Sequence, residues 1–227
     1  MVFLDYLALL GLSALAVASV TWFFKKRREM LELLRDVTVT LEKYYKPSDK
    51  TYTWIGYLVG YKARYVLPGK HKAFILFTTV PRHALFYMPV VLLAKRRDRL
   101  EVAVVPHDRY VVGELHVHKK GSWIAEAIVK KNMGGRLREF SVRELDLGGC
   151  KYVAYYKDER LLSSFTELAS KAGLPLLYAS AIPQENMVVA SCEVTRDNVV
   201  EFLDFHKELL EALTKPKAPL RYYGKTW

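Results

Sequence analysis

Residues 6–24 read YLALLGLSALAVASVTWFF, and KKRR follows at once at 25–28. How that junction is read decides the architecture of everything after it. The run carries no charge and consists mostly of Leu, Ala, Val and Phe. About 20 helical residues rising about 1.5 Å each cover the roughly 30 Å hydrocarbon core of a bilayer, so the run has the length of a membrane span. Its Leu, Val and Phe side chains, at about −0.3 to −0.6 kcal/mol apiece, favour insertion by on the order of 4 kcal/mol. Asp5 lies at the outer end, away from mid-membrane.

The four basic residues Lys25, Lys26, Arg27 and Arg28 then set the orientation. The positive-inside rule predicts a single-pass protein of the cell membrane, N-terminus outside and C-terminal domain in the cytoplasm. Trp22, Phe23 and Phe24 fall at the inner headgroup level, where aromatic rings prefer to sit. Ala16, Val17 and Ala18 also make a small-x-small cleavage pattern. A secretory signal, however, carries its positive charge before the apolar run, whereas here Asp5 precedes it and the positives follow.

The chain holds 35 Lys and Arg against 24 Asp and Glu, a formal charge of +11. Charge of this sign speaks of partners and not of fold. At the predicted location the two acidic surfaces within reach are anionic lipid and the phosphate backbone of ribosomal RNA. After the anchor, about 200 residues remain, enough for one good-sized core or two small ones. Cys150 and Cys192 stand in apolar, strand-like runs and read as buried reduced thiols, with a bridge between them left open for a hyperthermophilic source.

Beyond the anchor the apolar residues Met30, Leu33, Leu34, Val37 and Leu41 keep a helical period to about Tyr45, and Pro47 with Ser48 ends it. This predicts a basic helical stalk, residues 25–47, holding the next domain at a set distance from the bilayer. Residues 52–67 read as one long or bulged strand, Pro68-Gly69-Lys70 as a hairpin turn, and 73–80 as its partner strand. Pro81 opens an apolar helix over 83–95, kinked at Pro89 and expected to pack on that sheet. Strands at 100–105 and 110–119 follow.

In the second half, Ser122 caps a helix to Lys131, closed by Gly134 and Gly135, and 151–156 is a strand. An amphipathic helix covers 158–172 and stops at Gly173; strands 176–182 and 187–194 flank the turn Pro183-Gln184-Glu185-Asn186. Thr195 caps a last helix with Val199, Phe202, Leu203, Leu209, Leu210 and Leu213 on its apolar face. The order predicts an α+β fold, a mixed or antiparallel sheet with helices on one face. The divisions are an anchor at 1–24, the stalk, an α+β domain at 48–214 (one unit, or lobes at 48–120 and 121–214), and a basic aromatic tail at 215–227.

Searches for catalytic patterns yield little. Gly134-Gly135 and Gly148-Gly149 lack the spacing and the Lys-Ser/Thr of a phosphate loop, and no serine stands in a nucleophile elbow. The one metal-like feature is His116-x-His118, whose alternation puts both on one strand face as a ligand pair requires, with His107 and His71 as candidates to join it. Without a carboxylate or thiol placed to complete a site, they read as two histidines on a solvated face, and no metal or cofactor is expected. A non-enzymatic protein follows from this reading. The basic clusters are more telling: Lys95, Arg96, Arg97 and Arg99 in a helix-to-strand connection, and Lys119, Lys120, Lys130 and Lys131 continuing to Arg136, Arg138 and Arg143. Such clusters contact phosphates or anionic lipid without reading bases. Within the anchor, the small residues Gly11, Ala14 and Ala18, with Ser13 and Ser19, let a partner helix approach closely.

The order of parts resembles calumin, the coiled-coil-domain subunit of the PAT complex of the multipass translocon. The likeness runs from about Leu4 to Leu213: one anchor, a basic helix, a strand leading to an apolar segment (Ala73 to Lys95), two strands, then Glu159-Arg160-Leu161-Leu162-Ser163-Ser164-Phe165 before a strand pair and a terminal helix. It rests on element order and hydrophobic pattern. The family's acidic lumenal segment and long C-terminal coiled coil have no counterpart in these 227 residues, so no calcium role is implied. A compact, basic chain is similar to what an archaeal-type relative would be. The resemblance implies a membrane-protein biogenesis factor. Its domain would contact ribosome and protein-conducting channel, while its anchor would pair with a small membrane protein and chaperone nascent multipass segments. A domain that binds anionic lipid and serves a transporter or envelope assembly is the alternative.

Overall fold

The computed structural model describes residues 2–93, 97–107 and 110–216. A single helix, α1 (Val2–Tyr45), contains both the apolar run and the region expected as a stalk. Among the described residues it is the one helix long and apolar enough to cross a membrane, with a mean hydropathy of 2.0 in its most apolar window and none of that window buried. The hydroxyls of Ser13, Ser19 and Thr21 donate to the carbonyls of Leu9, Leu15 and Val17, each at 2.8 Å. Folding back onto the helix in this way hides the polar groups of the run from an apolar solvent.

Past the helix, eleven strands and four more helices follow in the described residues: β1 (Asp49–Gly56), β2 (Gly60–Val66), β3 (Lys72–Thr78), α2 (Met88–Leu93), β4 (Arg99–Val105), β5 (Tyr110–Val112) and β6 (Leu115–Lys119), then α3 (Trp123–Asn132), β7 (Ser141–Leu147), β8 (Cys150–Tyr156), α4 (Glu159–Ala172), β9 (Leu176–Ile182), β10 (Met187–Glu193), α5 (Val199–Leu213) and β11 (Thr214–Pro216). Nine strands form one antiparallel sheet in the order β1-β2-β3-β4-β10-β9-β6-β8-β7, and β11 pairs with β5 alone. The sheet runs unbroken through both halves of the chain because β10 pairs with β4.

One face of the sheet carries the main core. There α1, α4 and α5 lay Met30, Leu34, Val37, Leu41, Leu162, Phe165, Phe202 and Leu209 against Tyr65, Phe77, Leu100, Val117 and Ala190. The last four turns of α1 are therefore part of the domain core and not a spacer between bilayer and domain. Tyrosines lock them in place: Thr38 donates to the Tyr61 hydroxyl at 2.9 Å, and the Tyr45 and Tyr65 rings meet edge to face. Arg196, just before α5, pairs with Glu32 and Asp36 of the same helix.

Several sequence expectations are corrected here. Helices occupy both faces of the sheet, since α3 buries Ala125, Val129 and Met133 on the other side against Tyr178, Ile182 and Val189. The single strand expected over 52–67 is a hairpin, β1 and β2, turning through residues 57–59. Gly60 has φ +136°, and a Cβ there would lie 1.9 Å from the Phe77 carbonyl oxygen, so only glycine lets β2 pass β3 at that point. The strand over 110–119 is broken at residues 113–114 into β5 and β6, β7 was not foreseen, and Asn198 rather than Thr195 precedes the last helix. The helix expected over 83–95 shrinks to a 3-10 turn at Leu85–Tyr87 and the six residues of α2, with Pro89 at the helix start. It adds no residue to either core cluster of the sheet: Val91 is buried, but Phe86, Val90, Leu92 and Leu93 are exposed.

Candidate membrane-surface interface

Strand register sorts the connections into two ends. Thr78 pairs with Arg99, Arg99 with Glu193, Tyr178 with His118 and Lys119 with Tyr152. Residues 57–59, 79–93, 97–98, 120–122, 148–149 and 194–198 therefore share one end, and the apolar half of α1 enters at that end. We call it the near end. The contacts that fix the helix there are specific. The Trp22 indole N–H donates to the Arg82 carbonyl at 3.0 Å, the Phe23 ring meets the His83 ring edge at 5.7 Å, and Arg27 bonds the Tyr57 hydroxyl across that ring.

Arg82 is held in turn. The buried Asp98 carboxylate accepts the Val80 N–H at 2.9 Å and an Arg82 guanidinium N–H at 2.6 Å. Both carboxylate oxygens of a nearly dry aspartate are thus satisfied, which its burial requires. The connection from β3 is consequently rigid as far as Arg82, and the apolar stretch 84–93 departs from that fixed point.

The predicted basic residues divide. Lys25 is exposed, Lys26 pairs with Glu29 and lies over the Trp22 ring, and Arg28 pairs with Glu32, all at the near end. Arg97 is exposed there, 3.9 Å from Glu193, and Lys119 lies at the same distance from that carboxylate; Lys120 pairs with Glu144. Lys95 and Arg96 lie outside the described residues. Arg99 is corrected as a contact candidate: it begins β4 and turns inward to the Ser191 hydroxyl at 2.8 Å, to Glu101 and to the Tyr178 ring. Lys130 and Lys131 are at the other end of α3, about 13 Å along the helix from Ser122. With the exposed Lys46, Lys70, Lys72 and Arg138 they mark the far end, where Asp49 and Glu185 also lie. Arg136 and Arg143 are committed to Glu114 and Glu159. Of the tail cations, Lys215 lies in β11 opposite Val111, and those from Lys217 onward lie outside the described residues. Gly11, Ala14 and Ala18 are all exposed along α1, and a Cβ on Gly11 would meet nothing within 4 Å.

What the sequence did not reveal is that apolar side chains cluster at the near end. Trp54, Ile55, Tyr57, Val59, Phe86, Val90, Leu92, Leu93, Trp123 and Ile124 are all exposed. Trp54 and Ile55 lie near the end of β1, Trp123 and Ile124 open α3, and the others occupy the turn 57–59 and the stretch after Arg82. The available signal was the uncharged stretch ALFYMPVVLL at 84–93, which as a sequence cannot be told from a core helix.

The histidines fall elsewhere. His116 and His118 share a face of β6, as alternation requires, but α3 and Phe140 cover that face, and both are buried, not solvated. Burial pushes the His116 imidazole down to about 4, outweighing the nearby Glu114 carboxylate. Among the described residues, neither ring nitrogen of His116, nor the Ser180 hydroxyl opposite it, has a hydrogen-bond partner. No group of three or more metal-ligating side chains occurs among the described residues. Cys150 and Cys192 are free thiols, and burial raises that of Cys192 to about 12. A 550 Å³ cavity at the far end is lined by Tyr44, Tyr45, Asp204 and His206 between α1 and α5.

No protein-family model and no curated protein sequence matches the chain.

Proposed function

We propose that this chain is a membrane-anchored, non-enzymatic docking factor for membrane-protein biogenesis, as its resemblance to calumin implies. In this reading the apolar half of α1 spans the cell membrane and the near end of the domain rests on the cytoplasmic headgroups. The far end is then offered to the ribosome and the protein-conducting channel. The observation that carries the reading is the continuity of α1, which passes without a break from an uncovered apolar run into the domain core. A domain fused to its anchor in this way cannot swing. About 20 residues beyond Lys25, at about 1.5 Å each, hold the far end roughly 30 Å above the headgroups.

A rigid platform of that height suits a client leaving a ribosome, because a polar residue in a nascent membrane helix costs a few kcal/mol in lipid until its partners arrive. Gly11, Ala14 and Ala18 share a helix face, leaving room for a small membrane-protein partner. The far-end cations Lys46, Lys70, Lys72, Lys130, Lys131 and Arg138 are the ribosome-facing set, replacing Arg99. The test is co-sedimentation of the detergent-solubilised full chain with ribosomes of the source organism. Binding at low salt that falls steeply with salt is expected, as for any phosphate-backbone contact. Reversal to Glu at Lys70, Lys72, Lys130 and Lys131 should abolish it, and reversal at Arg97 and Lys120 should leave it intact. No binding at low salt overturns the ribosome reading. That result favours the second reading, a platform on anionic lipid serving a transporter or envelope assembly, which the apolar and basic near end supports.

A further inference from the structure

The geometry points to a second membrane-entering element: we propose that residues 84–93 insert into the headgroup and upper acyl layer of the same leaflet that holds the inner end of α1. The depth follows from the anchor. Trp22 and Phe23 terminate the apolar run, and they touch Arg82 and His83, so the stretch leaves the domain at the level where the hydrocarbon begins. From there residues 84–93 carry no charge, and in the sequence the chain turns charged again at Lys95, Arg96, Arg97 and Asp98.

An uncharged stretch of this length is either a core helix or an interfacial segment, being too short to span. A core helix does not fit the exposure: Val91 alone of the stretch is buried, whereas Phe86 is 78 %, Leu92 70 % and Leu93 85 % exposed. Full insertion is excluded by the backbone, because a 3-10 turn and a six-residue helix leave too many N–H and C=O groups unpaired for the dry centre of a bilayer. The interface, which is apolar on one side and wet on the other, accommodates both features. Exposed Trp54, Tyr57 and Trp123 at the same end suit the headgroup belt, and the exposed Lys25 and Arg97 complement anionic headgroups. The domain would then be held to lipid at two points, which fixes its rotation about the anchor.

The proposal rests on the reading that residues 6–24 span the bilayer, and the experiment separates the two. The full chain carrying Cys150→Ala, with Cys192 left in its buried, protonated state, receives one added cysteine at Leu93, Phe86, Leu15 or Val142. Each is labelled with a small fluorophore and reconstituted into phosphatidylcholine and phosphatidylglycerol vesicles. Lipids brominated near the glycerol should quench the labels at 93 and 86. Deeply brominated lipids should quench the label at 15, and only aqueous iodide the label at 142. Iodide quenching at 93 and 86 as strong as at 142, with 15 still quenched from the lipid, overturns the proposal while sparing the anchor. It would leave the stretch as a contact for a protein partner. Failure of lipid quenching at 15 overturns the anchor reading, and the proposal with it.

Discussion

Residues 6–24 and residues 30–41 belong to one helix and are both apolar, yet they meet different surroundings. In the first segment apolar side chains cover the whole circumference, and Leu7, Leu9, Leu10 and Leu12 are each more than half exposed. In the second they fall on one stripe: Met30, Leu33, Leu34, Val37 and Leu41 are 7 % exposed or less, while Arg35 and Asp36 between them face out. A full apolar circumference fits an apolar solvent, and a stripe fits a protein core with water behind it. The stretch 84–93 sides with the first segment, since all its apolar residues but Val91 stay partly or largely uncovered although a sheet stands nearby.

The contrast can be broken most severely at Leu41, which is fully buried at the far end of the stripe. Leu41→Asp places an unpaired carboxylate in the core and should prevent the domain from folding. Leu34→Ala, a milder cut, should cost about 2–5 kcal/mol in urea unfolding of the detergent-solubilised chain. Leu10→Ala, in the first segment, should leave that unfolding midpoint unmoved. Equal shifts for Leu34→Ala and Leu10→Ala would mean that the two segments are not in different environments.

Protonation probes the same contrast, because the core holds histidines and the anchor run 6–24 has none. His206 of α5 is buried, its Nε2 3.3 Å from the Val188 carbonyl, and burial pushes its imidazole down to about 4 from 6.5. Between these values the unfolded chain binds the proton that the folded one refuses, so stability rises with pH across that window. The contribution is complete above about pH 6.5 and is lost as pH falls towards about 4, on the order of 3 kcal/mol for His206. His116 behaves in the same direction. His206→Gln keeps a donor for the carbonyl without the titration, so its stability should differ less between pH 7 and pH 4.5 than that of the parent chain. An unchanged pH dependence would show that His206 is not held neutral by the core.

Much of the architecture was legible because it is written in local periods and stop signals. The stripe from Met30 to Leu41, the Ser122 cap, the Asp158–Gly173 bounds of α4 and the turn from Pro183 to Asn186 all lie where spacing and capping put them. What failed depended on long-range contact. Nothing local says that a periodic helix after an anchor packs into the domain instead of standing clear of it. Nothing local shows that α3 crosses to the second face and buries His116 and His118, or that Arg99 turns to Ser191, 92 residues away, instead of to solvent. The apolar stretch 84–93 misled for the same reason: composition reports that a surface avoids water and does not name what covers it.

The smallest effect expected is at the link between the two kinds of apolar surface. Trp22→Phe keeps an apolar ring at the end of the anchor run and removes only the indole N–H that the Arg82 carbonyl accepts. A neutral hydrogen bond of this kind contributes about 0.5–1.5 kcal/mol. The domain core is remote from it, so global unfolding should stay where it is. The stretch after Arg82, however, has no cover from the sheet, and its attachment to α1 is local. Amide exchange at residues 84–93 should therefore quicken by a factor of about 5, the equivalent of roughly 1 kcal/mol, while exchange in β2 and β3 stays unchanged. Equal acceleration in β2 and β3 would place the tie within the global fold. In that case the apolar stretch would share the stability of the core stripe, and the distinction between the two surfaces would lose its energetic basis.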